Sequence, residues 1–130
     1  MAFGGPRRAD CNEALGAVGD ALYAIGGKWK LRVIIALSDG SKRFNELQRS
    51  IPGISATVLS NELKDLEMNG FVSRKVNAQA TPVVVDYEVT EYCATLKDVV
   101  SALHKWGSMH RNRIKEKMKE ERAVHSPSTS

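Results

Sequence analysis

At 130 residues, with 42% hydrophobic and 26% charged content, the chain holds enough apolar material for one globular domain and too little for two independent cores. The net charge of +4 suits an anionic partner, but it is spread as −1 over residues 1–27, +2 over 28–89 and +3 over 90–130, which excludes a polybasic tail and leaves charge alone undecided about partners. No apolar run approaches the roughly 18 residues of a spanning helix and no hydrophobic signal core opens the chain, so the reading is a soluble, cytoplasmic protein with no membrane partner.

Residues 1–10, with Gly4, Gly5 and Pro6, and residues 121–130, ending in Ser-Pro-Ser-Thr-Ser, read as disordered arms around one domain over 11–120. From Asn12, Leu15, Val18, Leu22 and Ile25 recur at helical spacing until Gly26-Gly27 stops the run. Lys28 to Ser38 is too apolar for a surface helix, so a second helix lies in the core and ends at Asp39-Gly40. Phe44, Leu47 and Ile51 make a short third helix, closed ahead of Pro52. Ser55 is placed to cap a fourth, over about 55–68, whose inward stripe is Val58, Leu59, Leu63 and Leu66 and whose end is Asn69-Gly70.

Phe71 to Val76 then turns β-branched, and Val83, Val85, Tyr87 and Val89 alternate with Val84, Asp86 and Glu88, which predicts two strands of a hairpin over about 71–89. Thr90 is placed to cap a last helix over about 91–118, with Leu96, Val99, Val100, Leu103 and Trp106 in a stripe. The fold class is mainly α with a small β-hairpin.

Two helices in close succession, the second capped by a small polar residue and followed at once by a hairpin, form a winged helix-turn-helix layout. Opposite the leucines of helix four, Thr57, Ser60, Asn61 and Lys64 share one face. Ser55, Ala56 and Thr57 at its start are small enough for close approach to base edges, and Asn61 can pair with adenine. Lys42 and Arg43 flank that helix where phosphates would run, and the hairpin carries Arg74, Lys75, Asn77 and Gln79 toward the adjacent groove or backbone. Glu62, Asp65 and Glu67 share helix four, so short-range contacts rather than bulk charge must recognise double-stranded DNA.

Catalysis finds no support. His104 and His110 stand six residues apart, off a common helix face, and His125 pairs with neither at a metal-ligand spacing. Gly26-Gly27 leads into Lys28-Trp29 and not into a phosphate loop. No catalytic residue, metal ligand or cofactor is expected. The rival reading is a winged helix that serves as a protein-interaction module without specific DNA binding.

The runs Ile25-Gly26-Gly27-Lys28-Trp29-Lys30-Leu31, Phe44-Asn45-Glu46-Leu47 and Ile51-Pro52-Gly53-Ile54-Ser55, then Val58 to Glu67, Asn69 to Arg74 and Tyr87-Glu88-Val89-Thr90, resemble in order the HxlR-type regulators, bacterial relatives of the MarR family. The resemblance covers about residues 16–110 and implies a homodimer on palindromic operator DNA, most simply a repressor, acting near its own or a neighbouring gene. That family commonly carries a Cys-Pro pair where this chain has Gly16-Ala17, and a glycine where it has Cys93.

Leu15, Val18 and Leu22 of helix one, with Leu96, Val99, Leu103 and Trp106 of the last helix, are the expected dimer interface, Trp106 its anchor. Two isolated cysteines form no disulfide framework or zinc set. Cys11 and Cys93 remain as candidate redox sensors; at Cys93 the dipole of the last helix would lower the thiol pKa while Glu91 and burial oppose it. Tyr23, Tyr92, His104 and His110 are available to line a pocket for a small-molecule effector of unknown identity.

Overall fold

The computed structural model describes residues 8–125 and divides into two compact units between Ala94 and Thr95. The first holds α1 (Arg8–Ile25), α2 (Lys30–Leu37), β1 (Lys42–Arg43), α3 (Phe44–Ser50), α4 (Ala56–Met68), β2 (Val72–Asn77) and β3 (Val84–Val89). The second is the single helix α5 (Lys97–His125), reached through a 3-10 turn over Tyr92–Leu96. The second unit corresponds to the C-terminal helix expected over about 91–118 within the 11–120 domain. Every described side chain of α5 is exposed except the half-buried Val100, so this helix brings no core of its own. Residues 8–10 and 121–125, expected within the terminal arms, are helical; the rest of those arms lies outside the described residues. No helix among the described residues is long and apolar enough to cross a membrane.

The core of the first unit forms where the apolar faces of α2, α3 and α4 converge. Val33, Leu37, Leu47, Leu59 and Leu66 have no exposed surface, with Leu63 and Val72 at 2%. Val58, expected inward with the leucines, is half-buried. Its position sits at the edge of the stripe because Leu59, Leu63 and Leu66 take the centre.

Both ends of α4 carry the chemistry anticipated for them. The Ser55 hydroxyl accepts the Val58 N–H at 3.1 Å, satisfying one of the orphan donors of the first turn. At the other end the Phe71 N–H donates to the Leu66 carbonyl at 2.9 Å and the Gly70 N–H to that of Glu67 at 3.1 Å. That double closure needs a left-handed residue, and Gly70 supplies it at φ +81°. Phe71, the next residue, is buried and starts the chain into β2.

The hairpin pairs Val72 with Val89 through to Asn77 with Val84. A third strand not foreseen from sequence, β1, sits on the other edge of β3, opposing Lys42 to Tyr87 and Arg43 to Asp86. Two residues are too few to show an alternation. Thr90 closes the base of the hairpin: its N–H donates to the Phe71 carbonyl at 3.0 Å and its hydroxyl to that of Gly70. It also caps, but what it caps is the 3-10 turn, since Cys93 N–H reaches its hydroxyl at 3.3 Å.

The leucines of α4 should dominate stability. Leu59→Ala or Leu66→Ala should each cost about 2–5 kcal/mol in urea unfolding, whereas Met68→Ala, at a site 84% exposed, should stay within about 0.5 kcal/mol. A loss under about 1 kcal/mol at Leu66 would contradict this packing.

Candidate nucleic-acid interface

Because Leu59, Leu63 and Leu66 are drawn into the core, α4 must present its other side outward. Thr57, Asn61 and Lys64 are exposed there, Ser60 is half-buried, and Ser55 and Ala56 are exposed at the helix start. The Ser55 hydroxyl oxygen is already engaged as the cap. Ahead of the helix, Gly53 takes φ +85° in the Pro52-Gly53 turn, and Gln48 Nε2 reaches the Ile54 carbonyl at 3.4 Å, tying α3 to the entry of α4. Trp29 lies next to this turn, 3.8 Å from where a Gly53 side chain would begin, with Lys28 Nζ 4.8 Å and Arg32 Cζ 5.4 Å from its ring centre.

The acidic residues of α4 do not confront this surface equally. Lys30, from α2, bonds Glu62 at 3.0 Å and approaches Asp65 at 3.5 Å. The hydrogen bond to Glu62 raises the Lys30 pKa against the opposing effect of burial. One cation thus compensates two carboxylates. Its role had no signal in the sequence, since 32 residues separate it from Glu62.

Glu67 is placed differently. Together with Ser60, Leu63, Lys64, Arg74 and Tyr87 it lines a pocket of about 360 Å³ between α4 and the hairpin. Arg74 and Tyr87 are cross-strand partners, so the sheet brings the guanidinium to α4 rather than to the tip of the wing. The sequence marked Glu67 only as an acid of helix four and Tyr87 only as a strand residue, not as parts of one site.

The remaining cations divide. Arg43 is exposed where α3 begins, its N–H directed at the Glu46 carboxylate at 3.4 Å. Lys42 is turned inward instead: its ammonium donates to the Ala36 carbonyl at 2.6 Å and pairs with Asp39, whose carboxyl it holds below the ordinary value. Lys75 is paired with Glu88 at 2.6 Å across the hairpin. Asn77 accepts the Gln79 N–H at 3.2 Å, shaping the turn of the wing, and leaves Gln79 exposed there.

On α1, Leu15, Val18 and Leu22 are exposed, at 73%, 57% and 63%. On α5, Val99, Leu103 and Trp106 are exposed, and His110 stacks on Trp106 with ring centres 4.8 Å apart; Leu96 is half-buried. Tyr92 is stacked on Phe71 and so serves packing in the first unit. Cys11 is exposed on α1 and Cys93 is buried. The dipole expected to lower the Cys93 pKa is outweighed, because the residue lies in the 3-10 turn and burial pushes its thiol up.

Known proteins share this arrangement. The HTH-type transcriptional regulator YtcD of Bacillus subtilis is 40% identical over 93 residues, covering 72% of this chain and 73% of its own. The redox regulator HypR in its reduced form superposes with a TM-score of 0.71 at 37% identity, covering 77% of this chain and 98% of that one. The reduced form of the transcriptional regulator YodB from B. subtilis follows at 0.62 and 39%, covering 68% and 85%. The sequence model of the HxlR-like helix-turn-helix family matches residues 24–115, a span that runs from the end of α1 through the turn, α4, the hairpin and most of α5, and the chain therefore belongs to that family.

Proposed function

We infer that the protein is a transcriptional regulator that binds operator DNA as a homodimer, with α4 in the major groove and the hairpin against the backbone. The observation that carries this reading is the outward polar face of α4 beside the pocket that joins Lys64 to Arg74. A phosphate there would meet two cations and the Ser60 and Tyr87 hydroxyls against the single Glu67 carboxylate of the same lining, while Thr57 and Asn61 lie where base edges would be read. Arg43 is the further phosphate contact. Lys42 and Lys75, already paired within the fold, contribute less.

The homodimer is supported by the apolar stripes of α1 and α5, where Leu15, Val18, Leu22, Val99, Leu103 and Trp106 are all exposed in a single chain. A symmetric pair would set the two recognition helices about 34 Å apart on an inverted repeat. A thiol-linked response is supported by the two structural neighbours described as HypR, a redox regulator, and YodB in its reduced form; Cys11 is the thiol that solvent reaches.

Lys64→Ala and Arg74→Ala should each lower the salt dependence of duplex binding by about one unit on operator and random DNA alike. Replacing Thr57, Ser60 and Asn61 by Ala should instead erode discrimination, by about 1–3 kcal/mol for a bidentate base contact. Full discrimination in the triple variant, measured by competition titration, would remove α4 from the major groove. Leu103→Ala with Trp106→Ala should shift sedimentation toward monomer and weaken the full repeat far more than one half-site; an unchanged dimer would remove α5 from the interface. Iodoacetamide should label Cys11 in the native protein and Cys93 only on unfolding, so equal rates at both would contradict the burial of Cys93.

A further inference from the structure

We propose that the cationic line of α5 is a second, sequence-independent surface for the phosphate backbone of duplex DNA, an inference that rests on the DNA-binding reading above. Arg111, Lys115, Lys119 and Arg122 follow one another at steps of four, four and three, and Lys97 and His104 extend the same line at steps of seven. All are exposed.

Mixed charge is the ordinary condition of a solvated helix face, and Lys105, Arg113 and Lys117 lie elsewhere around α5, but the line itself is free of carboxylates. At about 100° per residue, the acidic residues of the helix, Asp98, Glu116, Glu120 and Glu121, fall about 60° or more away from the line. Glu116 approaches Lys119 only at 3.9 Å, with both side chains more than two-thirds exposed, a contact worth little in water. The line also runs past residue 115, where the family match ends.

From Arg111 to Arg122 the row is about 16 Å long, the axial length of roughly five phosphates on one strand. Such a row suits a polyanion with regularly spaced charges. An anionic membrane would also attract it, but an interfacial helix must bury its apolar side in lipid, and on α5 that side carries Leu103 and Trp106, assigned to the second protomer. Duplex DNA asks only for the cationic side.

The test uses the full chain and the variant Arg111→Gln, Lys115→Gln, Lys119→Gln and Arg122→Gln, chosen because glutamine keeps helix propensity and length. Helix content and sedimentation should match those of the original chain. Its binding to a long random duplex should lose about two to four units of salt slope and about tenfold or more in affinity near 0.1 M salt, whereas preference for operator over random sequence should persist. Glu116→Gln with Glu120→Gln serves as the control and should leave the slope no smaller. An unchanged slope in the quadruple variant, with operator binding intact, would overturn the proposal and spare the winged-helix reading. Failure of the original chain to bind any duplex would overturn both. Binding to vesicles of anionic lipid in preference to duplex would assign the line to a membrane and overturn it as stated.

Discussion

The burial of three leucines on one side of α4 is the constraint from which the outward surface follows. Leu59, Leu63 and Leu66 have almost no contact with solvent, and rotating α4 to bring any other side inward would place Asn61 or Lys64 in the core without partners. Hydrophobic packing thereby sets an orientation that hydrogen bonding alone could not hold. Termination of the helix by Gly70 and the burial of Phe71 then fix where the hairpin begins, which in turn decides that Arg74 and not a residue of the wing tip lies beside Lys64.

Electrostatics acts on this frame locally. The chain is only modestly basic, and several of its cations are matched within the fold: Lys30 by Glu62 and Asp65, Lys42 by Asp39, Lys75 by Glu88. Pairing Lys30 with α4 compensates two of its carboxylates and leaves Thr57 and Asn61 as short polar groups on its exposed side. On the DNA-binding reading proposed above, such a surface draws its selectivity from geometry at short range, with long-range attraction in a supporting part.

Much of this was legible in the sequence because it is local. The Ser55 cap, the Asn69-Gly70 stop, the leucine stripe and the alternating strand all depend on residues within a few positions of one another, and each lies close to where periodicity and turn chemistry put it. The contacts that escaped are the distant ones. Lys30 meets α4 from another helix, and β1 becomes a strand only because β3 lies beside it. Lys42 looked like a free cation because nothing in its neighbourhood says that its side chain folds back to the Ala36 carbonyl. At Cys93 the opposition between helix dipole and burial was legible but its outcome was not: a 3-10 turn stands between Thr90 and the regular helix, and the thiol enters the interior.

The two edges of β3 differ in how far along the chain their partners lie. Its pairing with β2 closes a short loop, and Thr90 latches that loop at its base through Gly70 and Phe71. Its pairing with β1 spans nearly the whole of the helix-turn-helix. Loop-closure entropy and topology therefore favour an order of events in which α4 and the hairpin organise early and the β1 edge docks last. Loosening that late edge would then show itself in how fast the native state is lost, and hardly at all in how fast it is gained.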